Sequence, residues 1–102
     1  MSEYYILDDN NNPIPSTDVA AWVWKEANRD RMRVGKTLVG NAEVSTVFMT
    51  LDHGWNGELE VFETMIFGGD RDGECYRYAT WADAKAGHDR VVLELTGGEE
   101  CK

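Results

Sequence analysis

The 102-residue chain carries 19 acidic and 10 basic residues, a formal net charge of −9 at pH 7. This excess of acid excludes a uniform, non-specific nucleic-acid binder, because such a protein gains its binding free energy from basic residues that release counterions from phosphate. Apolar residues make up 42% and aromatic residues 11% of the chain, which is typical of a folded domain rather than a disordered segment.

Positive charge is concentrated in one short window. Residues 25–36 hold five bases against two acids, so the window carries about +3 and the rest of the chain about −12. The bases are Lys25, Arg29, Arg31, Arg33 and Lys36. This polarity favours oriented docking to a basic partner or head-to-tail self-association. Alternatively, the acids solubilise the surface and the bases complement a helix C-terminus.

The two cysteines, Cys75 and Cys101, are too few for a disulfide framework and lack the spacing of zinc ligands. The polar N-terminus predicts no signal peptide, and no apolar run approaches the length of a membrane span. We therefore expect one domain over residues 1–102, with a frayed tail at 97–102, in the reducing cytoplasm of a cell. No cofactor and no metal is predicted.

Hydrophobic periodicity and turn signals divide the chain into seven elements. They are a strand at 4–7, a helix from 16 or 17 to about 31, strands at 34–39, 42–51, 59–67 and 75–78, and a helix from 80 to 96. The order β-α-β-β-β-β-α predicts an α+β fold: a small antiparallel β-meander of about five strands with two helices packed on one face. The hairpin within 44–69 is expected to form its floor.

The first predicted helix has an apolar face and one tryptophan outside it. The face consists of Val19, Trp22, Val23 and Ala27, which follow helical spacing. Trp24 points away from this face, either as a partly exposed platform or beneath a second covering surface. The last helix is expected to begin with a capping box at Thr80 and Asp83.

The two central strands are apolar on both sides. Val47 and Met49 alternate with Val44 and Phe48, whereas a sheet with one wet face should alternate between apolar and polar residues. Both faces are therefore expected to be partly covered. Helices can cover one face, and a second subunit is the simplest cover for the other.

The first candidate for chemistry is the turn that holds Asp52, His53 and Trp55. An imidazole beside a carboxylate can act as a general base or a metal ligand. Alternatively, His53 is a structural residue of the turn that the neighbouring Asp52 holds in place. A metal site needs three or four ligands, and one Asp-His pair supplies only two.

Two further polar residues lie on predicted apolar faces. His88 follows helical spacing with core positions, which favours a buried histidine bonded to a carbonyl or hydroxyl. Glu63 interrupts the fourth strand, and Arg77 on the next strand is its expected cross-strand partner. Convergence of His53 and His88 near Glu63 would instead indicate a metal site.

Five acids flank the fourth strand and form a candidate acidic surface along one end of the sheet: Glu58, Glu60, Asp70, Asp72 and Glu74. The glycine-rich loop at 68–73 matches no phosphate-binding motif, because it precedes a strand rather than a helix. Its Asp70-x-Asp72 pattern is too short for a calcium loop.

Four segments together resemble a family of small, uncharacterised proteins encoded by bacteriophages, prophages and mobile elements. They are YYILD (4–8), VSTVFxxLDH (44–53), FETMIFGG (62–69) and YxTWxxAxAGH (78–88), where x is a position outside the pattern. The resemblance covers nearly the whole chain and implies a phage accessory protein made in a bacterial cytoplasm, without implying a chemistry. The turn at 54–57 is shorter than the Pro-containing loop typical of the family.

These observations lead to three hypotheses. The first is a non-enzymatic protein whose acidic surface and exposed aromatics bind a host or phage macromolecule, such as a basic nucleic-acid-binding protein of a bacterial defence complex. No direct contact with nucleic acid or membrane is expected. The second is a metal-dependent or hydrolytic enzyme that uses Asp52 and His53. The third is a structural or virion-associated module that forms homodimers or larger oligomers.

Overall fold

A computed structural model describes residues 3–55 and 57–97, and over them the predicted α+β class is confirmed. The elements in these ranges are β1 (Tyr4–Leu7), β2 (Pro13–Ser16), α1 (Asp18–Ala27), a 3₁₀ helix (Arg29–Met32), β3 (Arg33–Val39), β4 (Ala42–Phe48), β5 (Phe62–Phe67), β6 (Cys75–Tyr78) and α2 (Trp81–Thr96). The described residues thus contain six strands rather than five. The predicted tail beyond Gly97, including Cys101, lies outside them.

The additional strand is β2, which the prediction placed in a loop. It pairs with β1 in an antiparallel hairpin, with Ile14 opposite Ile6. Proline lacks an N–H group but is tolerated on an edge strand, where that group would face away from the partner strand. The two prolines therefore do not prevent strand formation here.

The other four strands form an antiparallel sheet in the order β3-β4-β5-β6, so the predicted central hairpin does lie at its centre. Its regular strands are shorter than expected, since β4 ends at Phe48 and β5 begins at Phe62. The segment after β4 joins the β1–β2 hairpin to the sheet. There the Tyr5 amide donates to the Thr50 carbonyl at 2.8 Å, and Tyr4 forms a bridge with Leu51.

Helix α2 covers one face of the four-stranded sheet. The side chains of β4 and β5 on this face are fully buried: Val44, Thr46, Phe48, Phe62, Thr64 and Ile66. The opposite face leaves Leu38 73% and Phe67 49% exposed. The expected cover on that face is therefore not supplied by the described part of a single chain.

Helix α1 packs against the rest of the molecule with the side opposite to its predicted apolar face. Trp24 packs edge-on against Phe48, with ring centroids 5.7 Å apart and an interplanar angle of 84°, while Ala21 is 1% exposed. Val19, Trp22 and Val23 face outward instead. The expectation that Val19, Trp22 and Val23 form the packed face is therefore wrong. Trp24 does point away from that face, and a second surface at Phe48 covers it.

Threonine side chains cap both helices. Thr17 caps α1 by accepting a hydrogen bond from the Ala20 amide at 3.1 Å. Thr80 caps α2 in the same way, accepting from the Asp83 amide at 3.0 Å. Gly97 ends α2 in the left-handed conformation, with φ of 69°, which a glycine adopts without steric cost.

His88 lies between α2 and the sheet, 3% exposed, with both ring nitrogens in hydrogen bonds. Nδ1 is 2.7 Å from the Thr46 hydroxyl and Nε2 is 2.9 Å from the Thr37 hydroxyl. The prediction of a satisfied core histidine is confirmed. Burial lowers the pKa of His88 below its usual value; the nearby Asp89 charge raises the pKa, and the Lys85 charge lowers it.

The reversed orientation of α1 predicts opposite effects for its two tryptophans. Trp24→Ala should lower the free energy of unfolding by about 2 to 3 kcal/mol, since it removes a packed ring. Trp22→Ala should change it by no more than about 0.5 kcal/mol, since that side chain is 64% exposed. Urea denaturation of both variants measures the difference. Equal losses would contradict the orientation.

The lowered pKa of His88 predicts a loss of stability in acid. The unfolded chain binds a proton on this ring near pH 6.5, whereas the folded chain resists protonation. The contribution of neutral His88 to the free energy of unfolding is fully present above about pH 6.5. It falls as the pH drops and levels off below the lowered pKa of His88. The slope of this loss is at most about 1.4 kcal/mol per pH unit. An NMR titration of the ring gives the pKa directly.

Urea denaturation over the same pH range separates His88 from the many carboxylates. His88→Gln should show a shallower loss in acid than the unsubstituted chain, because the group that resists protonation is removed. A His88 pKa at or above its usual value would refute the prediction.

Candidate protein-binding surface

The carboxylate of Asp52 holds its own loop together. Its Oδ1 accepts hydrogen bonds from the Gly54 amide at 2.8 Å and from the Glu60 amide at 2.9 Å. Position 54 also requires glycine, because an added Cβ would lie 1.8 Å from the Glu58 carbonyl oxygen. The sequence-predicted partner of His53 is thus a structural brace between the two sides of the loop.

His53 and Trp55 lie in the same loop and are exposed. The His53 backbone amide donates to the Glu60 carbonyl at 3.0 Å, which continues the pairing of the central hairpin beyond its regular strands. Trp55 is 79% exposed. Asp52, His53 and Trp55 thus share one loop. The Asp52 oxygen that forms hydrogen bonds, Oδ1, accepts them from backbone amides. Asn56 lies outside the described residues.

The structure divides the candidate acidic surface between two ends of the sheet. Glu58 and Glu60 precede β5, whereas Asp70, Asp72 and Glu74 follow it. Glu58 and Glu60 line a groove of about 560 Å³ beside β6 and α2, together with Arg77, Asp83 and Arg90. This groove therefore mixes acids with bases and is not a uniform acidic site.

Two acids in the loop between β5 and β6 have structural contacts. Asp72 Oδ1 accepts from the Gly68 amide at 2.6 Å. Glu74 accepts from the Tyr76 hydroxyl at 2.8 Å and pairs with Arg71 at 2.9 Å. The hydrogen bond from Tyr76 is the largest cause that lowers the pKa of Glu74, and the hydrogen bond from Arg71 is the second. These acids stabilise their own turn.

The expected partner of Glu63 is confirmed: Arg77 Nε donates to Glu63 Oε2 at 3.1 Å across β5 and β6. His88, in contrast, lies on the other face of the sheet, beside Thr46. Across residues 3–55 and 57–97, no group of three or more His, Cys, Asp or Glu side chains is placed to hold a metal ion. The convergence of His53 and His88 near Glu63 does not occur.

The largest departure from the sequence prediction is an apolar ridge on the outside of α1. We call Val19, Trp22 and Val23 the α1 ridge; they are 68%, 64% and 56% exposed. Trp22 also borders a recess of about 270 Å³ with Tyr4, Lys25 and Thr50. Three large apolar side chains at i, i+3 and i+4 on a solvent-facing helix surface are unusual for a monomer.

One signal in the sequence could have indicated the α1 ridge. Helix α1 carries large apolar residues on two sides, with Trp24 opposite Val19 and Trp22. A ten-residue helix packed at the end of a small sheet buries only one side, so the other apolar side must be exposed. The pattern could not show which side that would be.

The chain was compared with known proteins at three levels. No family model, no curated protein and no solved structure matches it. The resemblance to bacteriophage proteins therefore stays a prediction, and function must be argued from geometry. Of the helices in the described ranges, none has both the length and the apolar character needed to cross a bilayer.

The bracing role of Asp52 predicts a selective loss of stability. Asp52→Ala should cost about 1 to 2 kcal/mol, because two loop amides lose their acceptor. Asp52→Asn keeps an oxygen acceptor and should recover most of this loss. Urea denaturation compares the two variants with His53→Ala, which should be close to neutral. A larger loss for His53→Ala than for Asp52→Ala would refute the assignment.

Proposed function

We propose that this protein is a non-enzymatic binding protein that inserts the α1 ridge into an apolar cleft of a partner protein. The observation that carries the proposal is the exposure of Val19, Trp22 and Val23 along one side of α1. Amphipathic helices commonly bind in this way, with anchors at i, i+3, i+4 and i+7 entering a hydrophobic groove. In this case the helix is already folded and held by Trp24, so binding does not have to order it.

Trp22 is the expected centre of the contact. Tryptophan is enriched among the residues that dominate binding free energy, because one ring removes a large apolar area from water. Val19 and Val23 lie one turn apart on the same side and would enclose the indole within the partner's cleft. Loss of Trp22 should therefore weaken binding more than loss of either valine.

The net charge favours a different protein over a second copy of this chain. Each copy carries −9, so two copies repel one another at long range. At long range the −9 charge would attract a partner with basic surroundings, although Lys25 beside Trp22 is itself positive. In the bacterial setting that the sequence resemblance implies, a basic nucleic-acid-binding protein of a defence complex has this character, and blocking it is the role we favour.

The proposal predicts that binding depends on Trp22 and not on exposed apolar area in general. The test is cross-linking in bacterial host lysate with a photoreactive phenylalanine analogue at position 23, followed by mass spectrometry. A specific adduct should form and should be reduced at least about tenfold by Trp22→Ser. The matched control is Leu93→Ser on α2, which removes an exposed apolar side chain of similar exposure, 51%, and should leave the adduct unchanged.

Several outcomes would contradict the proposal. An adduct with another copy of this chain, accompanied by a dimer in light scattering, would support the oligomeric module instead. Loss of the adduct with Glu58→Gln and Glu60→Gln, but not with Trp22→Ser, would transfer the function to the acidic residues. Absence of any specific adduct would refute a protein-binding α1 ridge.

A further inference from the structure

A second surface feature lies where α1 and the 3₁₀ helix meet the end of β4. It is a groove of about 420 Å³, which we call the basic groove. Its floor is mainly apolar, formed by Met32, Val47, Phe48, Met49 and Leu51 together with Thr50. Three bases line its rim, namely Lys25, Arg29 and Arg33.

The rim is positive in a chain that is otherwise strongly acidic. Arg29 pairs with Glu26 at 2.9 Å, so part of its charge is matched. Among residues 3–55 and 57–97, neither Lys25 nor Arg33 forms an ion pair within 4.0 Å. Asp70, Asp72 and Glu74 lie beyond the far end of β5. Two unmatched positive charges therefore lie beside an apolar floor.

We propose that the basic groove binds an acidic peptide segment of a second protein that carries an aliphatic anchor side chain. The rim supplies charge complementarity for Asp or Glu residues, and Arg33 can hold a carboxylate through two parallel hydrogen bonds. The floor supplies the apolar contact for the anchor, since Met32 and Met49 have flexible side chains that adapt to irregular shapes. This site goes beyond the proposed role of the α1 ridge.

Nucleic acid fits the groove less well than an acidic peptide. Single strands bind to basic grooves in which successive bases stack on exposed aromatic rings. The aromatic ring that lines this groove, Phe48, is fully buried, and the other residues of the floor carry no aromatic ring. A polyanion would also meet the repulsion of the −9 chain over a longer length than a short peptide would.

The test uses labelled synthetic peptides and fluorescence anisotropy on the full chain. The probe is a peptide in which Asp and Glu residues surround two leucines. The control peptide has the same sequence with both leucines replaced by serine. The leucine peptide should bind, and its affinity should fall steeply as salt rises from about 0.05 to about 0.5 M, because the attraction is electrostatic and becomes screened. The serine peptide should bind at least about tenfold more weakly.

Two double variants with the same change in net charge separate a local site from a general charge effect. Lys25→Glu with Arg33→Glu should weaken the leucine peptide at least about tenfold. Lys85→Glu with Arg90→Glu, on α2, should leave its affinity within about twofold. If the first pair unfolds the chain, as judged by circular dichroism, the milder Lys25→Gln with Arg33→Gln replaces it.

Each remaining outcome counts against the basic groove. Equal weakening by both double variants would show a general charge effect, and equal affinity for the two peptides would exclude the apolar anchor. Tighter binding of a single-stranded oligonucleotide than of the leucine peptide would assign the groove to nucleic acid. Absence of peptide binding would remove the proposal while leaving the α1 ridge untouched, since Trp22 is not changed in these experiments.

Discussion

The contact between Trp24 and Phe48 determines which surface the molecule presents. It belongs to a row of four aromatic rings that runs from α1 through the sheet to α2. Phe48 packs on Phe62 at 5.3 Å, and Phe62 packs on Trp81 at 6.1 Å. Aromatic pairs of this geometry add about 0.5 to 1.5 kcal/mol beyond the area that they bury. Because Trp24 is fixed in this row, the side of α1 that carries Trp22 is held toward the solvent.

The parts of the fold that depend on local chemistry could be predicted from the sequence. Thr80 caps α2 as expected, and Glu63 pairs with Arg77 on the next strand as expected. The orientation of α1 could not be predicted, because it depends on whether Trp24 or Trp22 fits above Phe48, a residue far along the chain. The α1 ridge depends on that contact, so it was missed as a candidate site.

The buried polar network beneath α2 explains why His88 has a structural role. The Tyr78 hydroxyl donates to Thr64, and Thr64 and Thr46 share a hydrogen bond next to His88 Nδ1. The tautomer of a neutral ring in which Nδ1 accepts from Thr46 and Nε2 donates to Thr37 would continue this chain of donors. A protonated ring would donate at both nitrogens and reverse the order of donors. Burial, the main cause of the lowered pKa of His88, favours the neutral ring in this network.

The acidity of the chain is a weaker guide to function than its exposed apolar side chains. Asp8 accepts from the amides of Asn10 and Asn12 at 2.8 and 2.9 Å. Asp52 and Asp72 bind loop amides in the same way. Several carboxylates that give the chain its negative charge therefore serve as turn braces and would be needed whatever the protein binds. The exposure of Val19, Trp22 and Val23 has no such role in bracing a turn, and it is the observation on which the proposed binding role rests.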